Sequence, residues 1–150
     1  MTSLTQTSRI ALAESSAELA EHHRIRHAVF VVEQGIFTES DVDYRDARPE
    51  VLRLLGWYAG VPAGAVRLYP LDGTRWQGDR LAVLPQYREH NLGAPLVRYA
   101  VATAGSRGGS LMVAHIQPPN VRFFERLGWT VDGDVETYCG RPHIPMSIAL

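Results

Sequence analysis

The stretch LAVLPQYREHNLGAPLVRYA, residues 81–100, decides the fold of this chain. A short apolar run ends at Pro85, a polar loop follows, and Gly93-Ala94-Pro95 opens a segment whose apolar residues have helical periodicity. Pro is tolerated in the first turn of a helix because its missing N–H would have no intrahelical partner there. The stretch therefore predicts a strand, a loop and a helix that begins near residue 94.

The loop of this stretch has the composition of an anion site. Backbone N–H groups of a loop and of a helix N-terminus can converge on one point and bind a phosphate there. Gly93 has no Cβ to hold a ligand away from the backbone, Asn91 tolerates positive φ, and Arg88 can add a charge-assisted hydrogen bond. A capped helix after an ordinary turn is the alternative. A P-loop and a three-glycine dinucleotide site are excluded, because their further residues are lacking.

The flanking sequence predicts one mixed α/β domain over residues 1–150. The length and the 45% hydrophobic composition suit a single core. Ser15 or Ser16 caps a first helix, and Glu18 lies in its first turn, where the helix dipole favours an acid. The predicted elements are a strand at 9–13, a helix at 16–33, a loop at 35–50, three strands between 52 and 85, a helix at 94–104, a strand at 110–116, a helix from Pro119 to Gly128 and two strands near 129–138 and 145–150.

Charge and cysteine content exclude several classes of partner. Fifteen basic and sixteen acidic side chains give a net charge of -1, so we expect no nucleic-acid and no membrane partner. The single Cys139 cannot form an internal disulfide, which favours a reducing compartment. The N-terminal residues lack the order of a signal peptide, and no apolar run approaches the ~20 residues of a membrane span. These observations predict a cytoplasmic protein.

Two motifs together resemble a known family. Arg88-Glu89-His90-Asn91-Leu92-Gly93 follows a predicted fourth strand, and Phe124-Glu125-Arg126-Leu127-Gly128-Trp129 ends a predicted helix. With these motifs the chain resembles the GNAT superfamily of acyl-CoA-dependent N-acyltransferases over nearly its whole length. Asn91 stands where the family's pyrophosphate loop usually has its first Gly. Phe124 stands where many members have a Tyr that protonates the departing thiolate, and Phe has no proton to donate.

Further segments resemble a narrower branch. RHAVFVVEQGIF, DVDYRDA and the C-terminal GRPHIPM are similar to small stand-alone bacterial acetyltransferases that end in Gly-x-Pro-His-x-x-Met. RLYPLD, GDRLAVLP and NVRFFERLGW are similar to an acetyltransferase family encoded beside nitrilases.

The resemblance implies a fold, a reaction and a set of contacts. The fold is a mixed, mostly antiparallel sheet of about seven strands flanked by helices, with the thioester between the fourth and fifth strands. The reaction is direct transfer of an acetyl group from acetyl-CoA to a primary amine of a small molecule. Expected acetyl-CoA contacts are Leu81, Ala82, Val83, Arg88, Glu89, His90, Asn91, Leu92, Gly93, Ala94, Asn120, Phe123 and Phe124.

This reaction needs a base, because an alkyl ammonium has a pKa of about 10.4. The candidates Glu33, His115, Glu136 and His143 are set by position in the predicted fold and by the resemblance. Three of them have an alternative interpretation: Glu33 as a solvated helix end, His115 as a hydrogen-bonded strand histidine, and His143 as a turn residue. Tyr138 could replace the lost tyrosine acid, or pack in a sheet.

The sequence also suggests a candidate metal site, an acidic loop and two other functions. His23 and His27 share a helix face without a third ligand, so we predict no metal site. The acids of residues 39–46 are interpreted as a solvated loop, with attraction of a cationic acceptor as the alternative. A non-catalytic acyl-CoA-binding module is the second hypothesis. An acyl-homoserine-lactone synthase, which Arg26 and Phe30 resemble in spacing, ranks below it, and a homodimer is a further expectation.

Overall fold

The computed structural model describes residues 8–150, which form one sheet with three α-helices. The first seven residues, on which the expectation about an export signal partly rests, lie outside the described residues. No helix among residues 8–150 is long and apolar enough to cross a membrane. The strands are β1 (Ser8–Leu12), β2 (Leu52–Tyr58), β3 (Val61–Asp72), β4 (Arg75–Val83), β5 (Leu111–Ile116), β6 (Thr130–Val131), β7 (Glu136–Tyr138) and β8 (Arg141–Ala149). The helices are α1 (Ser16–Arg26), α2 (Gly93–Ser106) and α3 (Val121–Arg126).

The first helix begins at a reciprocal cap. The Ser15 side chain accepts a hydrogen bond from the Glu18 N–H, and the Glu18 carboxylate accepts one from the Ser15 N–H. The predicted helix at 16–33 is confirmed, but its second half, His27–Glu33, is a π-helix. The β-branched residues of this half do not favour regular α-helix, and π-turns often occur near functional sites.

The sheet has the predicted mixed and mostly antiparallel architecture. Its order is β1-β2-β3-β4-β5-β8-β6, with β7 paired to β8 outside this path. All neighbouring strands are antiparallel except β4 and β5, which α2 connects. Eight strands replace the predicted seven, because the strand expected at 129–138 is divided into β6 and β7. The last strand starts at Arg141 rather than near residue 145, since it pairs with both β5 and β7.

The two faces of the sheet are covered differently. Helices α2 and α3 bury an apolar cluster that includes Leu96, Val97, Met112 and Phe124. Helix α1 lies on the other face with a smaller apolar cluster, which includes Ile25 and several residues of β2 and β3. The predicted core therefore exists as two layers on either side of one sheet.

Candidate active site

The site begins where β4 and β5 separate. Residues 75–77 of β4 pair with residues 111–113 of β5, and the register ends there. Gly78 and Ala114 are the next residues on the two strands, and both line a cavity of about 120 Å³. The separation therefore opens the sheet between two adjacent parallel strands at positions whose side chains are small or missing.

A bulge in β4 accompanies this separation. Ala65 pairs with Ala82 and Arg67 pairs with Asp79, so two residues of β4 stand opposite the single Val66 of β3. Arg80, one of these two residues, has φ of +56°. A bulge leaves the extra residue without its ladder partner and redirects the neighbouring backbone. Leu81, the other extra residue, lines the cavity.

The cavity has two chemically different ends. Its polar end carries the charged and hydrogen-bonding side chains Asp79, Arg80, His115, Gln117, Tyr138 and His143, beside the apolar Phe30, Ile36 and Phe37 of the α1-face cluster. Its apolar end carries Val66, Val97, Ala100, Met112, Phe124 and Trp129, which are all buried. A molecule bound across the cavity would therefore place its charged part on one side of the sheet opening and its apolar part on the other.

Strands β5, β7 and β8 bring the histidines and the tyrosine of the polar end together. Glu136 and His143 are register partners across β7 and β8, and Tyr138 pairs with Arg141. The Tyr138 ring stacks on the His115 ring, with 4.1 Å between the centroids and 11° between the planes. The rings of Tyr138 and His143 lie edge to face at 5.3 Å.

The hydrogen bonds of the two histidines define their tautomers. His143 Nδ1 lies 3.0 Å from the Arg141 carbonyl oxygen, which can only accept, so Nδ1 carries the proton and Nε2 of the neutral ring has a free lone pair. His115 Nδ1 contacts the Glu136 carboxylate, which likewise orients its ring and leaves Nε2 available. Two imidazoles with oriented rings can therefore accept or deliver protons at this end of the cavity.

Tyr138 is a proton donor at neutral pH. Burial, together with the negative charge of Asp79, raises the pKa of its phenol above the ordinary value. The hydroxyl therefore keeps its proton at neutral pH.

The loop before α2 has the geometry expected of an anion site. Asn91 ends a 3-10 helix at Pro85–His90 and adopts the left-handed conformation, with φ of 55° and ψ of 36°. Helix α2 then begins at Gly93, and within the described residues no side chain caps its N-terminus. A Cβ on Gly93 would meet Phe123 at 3.4 Å, so the backbone approaches this ring closely. Uncapped N–H groups of the first turn are thus available to an acceptor from outside the chain.

Arg88 and Glu33 form an ion pair beside this loop. Arg88 donates to both oxygens of Glu33, at 2.7 and 2.5 Å, and to the Val83 carbonyl oxygen at 3.0 Å. The hydrogen bond from Arg88 lowers the pKa of Glu33. Glu33 therefore lies near the expected pyrophosphate loop and away from the cavity, a position that does not favour it as the base.

The other predicted residues divide between the cavity and its surroundings. His115, Tyr138, His143, Leu81, Asn120 and Phe124 line the cavity. Phe123 faces Gly93, and His90 stacks on Tyr58. The side chains of Ala82 and Leu92 are buried in the two apolar clusters, so only their backbones could meet a ligand. Glu89 and Ala94 lie at the loop and the first turn of α2.

A buried ion cluster that was not predicted from the sequence is formed by Arg26, Asp41, Asp43, Asp46, Arg67, Asp79 and Arg80. Arg67 donates to both oxygens of Asp79, at 2.8 and 2.7 Å, and to Asp43 at 2.7 Å. Arg26 bonds Asp41 at 2.6 Å and Asp46 at 2.8 Å. Both arginines are fully buried.

The ion cluster corrects the interpretation of residues 39–46. Asp41 and Asp46, whose side chains are 2% and 5% exposed, belong to a buried ionic layer under α1 and not to a solvated loop. Burial raises the pKa of Asp46, but the hydrogen bond and charge of Arg26, with a backbone hydrogen bond and the charge of Arg67, together lower the pKa overall. An arginine between the apolar residues Val66 and Leu68 was the sequence signal for the cluster.

Comparisons with known proteins agree with this geometry. The model of the acetyltransferase (GNAT) family matches residues 16–129. A proposed acetyltransferase of Bacillus subtilis is 28% identical over 134 residues, which cover 89% of this chain and 90% of that protein. The crystal structure of a proposed N-acetyltransferase from Lactobacillus plantarum superimposes with a TM-score of 0.85 at 26% identity, covering 95% of this chain and 98% of that one.

A more distant structure shares the fold alone. An aminoglycoside 6'-N-acetyltransferase complexed with coenzyme A superimposes with a TM-score of 0.77 at 17% identity, covering 94% of this chain and 96% of that chain. The sheet order, the separated parallel strands and the family match lead to one conclusion. The chain belongs to the acetyltransferase (GNAT) family.

Proposed function

We propose that the protein transfers an acyl group, acetyl in the simplest case, from acyl-CoA to a primary amine of a small molecule. The observation that carries this proposal is the cavity at the separation of β4 and β5, which has two oriented histidines and a protonated tyrosine at one end. The narrower branch, with its Gly-x-Pro-His-x-x-Met ending, and a homodimer remain predictions.

Coenzyme A fits the residues present. The uncapped first turn of α2, with Gly93 and the left-handed Asn91, offers N–H groups to a pyrophosphate. Arg88 can contribute a charge once it leaves Glu33. The aminoglycoside 6'-N-acetyltransferase that shares this fold was solved in complex with coenzyme A, which supports this assignment.

His143 is the proposed base. Its Nδ1 donates a hydrogen bond to the Arg141 carbonyl oxygen, so the lone pair of its Nε2 is free to accept a proton. It removes a proton from the ammonium form of the acceptor, and the neutral amine then attacks the thioester carbonyl carbon. His115, held by Glu136, can receive the second proton that the new amide nitrogen loses.

The chain also has groups for the developing charges. Backbone N–H groups near the β4 bulge, at Leu81 to Val83, are proposed to donate to the carbonyl oxygen as it becomes negative. When the carbon–sulfur bond breaks, Tyr138 supplies the proton for the thiolate in place of the tyrosine that Phe124 replaces. The products are an N-acylated amine and free CoA.

Calorimetric titration with acetyl-CoA, CoA and NAD tests the donor. We expect binding of both CoA species and none of NAD, and Gly93→Glu should abolish it because the new carboxylate stands at the first turn of α2. Ala102→Glu, on the exposed side of the same helix, is the matched control and should bind normally. Normal CoA binding by Gly93→Glu would overturn the loop assignment.

His143→Gln tests the base. We expect kcat/KM to fall about a hundredfold or more with CoA affinity unchanged. His27→Gln, at an exposed position, is the control. Binding of acetyl-CoA without turnover by the unmodified protein, across a panel of amines, would instead support the non-catalytic binding module.

A further inference from the structure

The apolar lining of the cavity extends past the position proposed for the acetyl group. It runs along β4 from Leu81 to Gly78 and reaches Met112 on β5, whose partner on β4 is Trp76. The distance along β4 from Leu81, near the proposed thioester, to Gly78 is roughly 10 Å at about 3.3 Å per residue. An acetyl group ends at its first methyl carbon, so most of this length would stay unfilled.

The walls of this end suit a hydrocarbon chain. Val97 and Ala100 contribute from α2, Met112 from β5, and Val66 from β3, and each is at most 4% exposed. The charged residues that line the cavity stand at its polar end. The Trp129 indole N–H has no acceptor among residues 8–150, and it is the polar feature of an otherwise apolar wall. The whole cavity, with its polar and apolar parts together, has a volume of about 120 Å³, whereas one water requires roughly 10–15 Å³.

Small residues keep this space free. Gly78 has no side chain, and a Cβ built there would lie 3.5 Å from the Met112 sulfur, an ordinary contact. Ala100 and Ala114 present single methyl groups from the two opposite walls. A larger side chain at Gly78 would not clash with the backbone, but it would fill part of the cavity. The free space therefore depends on the small residue there.

We propose that the apolar end is an acyl-chain site, and that the preferred donors are CoA thioesters of medium-length fatty acids, such as hexanoyl-CoA, rather than acetyl-CoA. This inference rests on the proposed function, since it assigns the donor for the same transfer reaction. The amine nitrogen bonds the acyl carbon, the carbon–sulfur bond breaks, and CoA leaves as before. Only the chain attached to the transferred carbonyl differs.

Binding of three probes separates this inference from the proposed function. Calorimetry of the full chain with CoA, acetyl-CoA and hexanoyl-CoA compares donors that differ only in the chain. Each buried methylene contributes about 0.8 kcal/mol, or about fourfold in affinity. We expect hexanoyl-CoA to bind at least about tenfold more tightly than acetyl-CoA, which corresponds to two buried methylenes.

Filling variants locate the chain. Gly78→Val and Ala100→Leu should each reduce hexanoyl-CoA affinity about tenfold and reduce acetyl-CoA affinity by a smaller factor. Ala102→Leu, which adds the same side chain on the exposed side of α2, should leave both unchanged. Circular dichroism of each variant checks the fold, and the comparison in the unmodified protein stands if a variant fails to fold.

The other outcomes are equally decisive. Normal binding of acetyl-CoA with equal or weaker binding of hexanoyl-CoA would overturn the acyl-chain site and leave the proposed function intact. Absence of binding by all three CoA species would overturn both. Loss of hexanoyl-CoA affinity in Ala102→Leu to the same extent as in Ala100→Leu would show that the chain binds elsewhere.

Discussion

The two faces of the sheet are stabilised by opposite means. On the α2 face, Leu96, Met112 and Met146 are fully or almost fully buried among other apolar side chains. On the α1 face, Arg26 and Arg67 are equally buried, but their surroundings are carboxylates. The first face is held by burial of apolar surface, whereas the second combines a smaller apolar cluster with ions that must remain paired.

This difference corresponds to the two ends of the cavity. The ion cluster reaches the cavity through Asp79 and Arg80, which line its polar end. The apolar cluster reaches it through Val97 and Met112 at the other end. The ion cluster and the α2-face apolar cluster therefore line different parts of the site, which we assign to the acceptor and to the acyl chain.

The largest expected effect comes from breaking the ion cluster. Arg67→Met should lower the free energy of unfolding by about 4 kcal/mol, because Asp43 and Asp79 lose the cation that both contact. Urea denaturation measures this change. Arg75→Met is the control, since its ion pair with Asp72 is exposed and contributes only about 0–1 kcal/mol. Equal costs for the two variants would mean that the cluster does not stabilise the α1 face.

A core truncation tests the α2 face. Leu96→Ala should cost about 3 kcal/mol, because the side chain packs so tightly that a Cβ on Gly64 would lie 2.7 Å from its Cδ1. The cost should be the same at about pH 7 and about pH 5, since no charge is removed. Arg98→Ala, exposed on the same helix, should change stability little. A cost that depends strongly on pH would contradict the assignment of this face as purely apolar.

The sequence predicted the α2 face better than the α1 face. The stretch around residues 81–100 contains local signals, namely a strand, a left-handed Asn91 and a helix start, and the structure has all three. The histidine and tyrosine candidates were found partly through resemblance, but their stacking depends on the register of β5, β7 and β8. Register between distant strands is set by tertiary packing and cannot be read from a local pattern.

The ion cluster was missed for a similar reason. Asp41 and Asp46 lie in a segment whose local composition is that of a surface loop. Their burial depends on Arg26 and Arg67. Arg26 is 15 residues from Asp41 in the sequence, and Arg67 is 21 residues from Asp46. A charged residue is costly to bury alone, so the partners had to be considered together for the prediction to succeed.

The smallest expected effect concerns the pH dependence of the α1 face. His22 lies next to the ion cluster, with Nδ1 2.9 Å from the Leu54 carbonyl oxygen and Nε2 3.3 Å from Arg26 Nη1. Since Nδ1 must donate to the carbonyl and Nε2 must accept from Arg26, the buried ring is neutral. Burial lowers the pKa of His22 to about 3, despite the hydrogen bond to Leu54.

The unfolded chain therefore binds a proton at this histidine that the folded chain excludes. Stability should fall as the pH decreases below the unfolded value of 6.5, by about 1.4 kcal/mol per pH unit, or about 2 kcal/mol by about pH 5. The pKa values of Asp43 and Asp46 are lowered from 3.8 by folding, so these carboxyl groups change the stability only below about that pH. They do not contribute to the change between about pH 6.5 and about pH 5. Burial also lowers the pKa of His23, the next residue on α1, so His22→Gln, which keeps a donor and an acceptor, should remove part of the slope in urea titrations. The double variant His22→Gln/His23→Gln should remove most of it. An unchanged slope in the double variant would place the pH sensitivity outside the α1 face, and the two faces would then differ in composition but not in their response to acid.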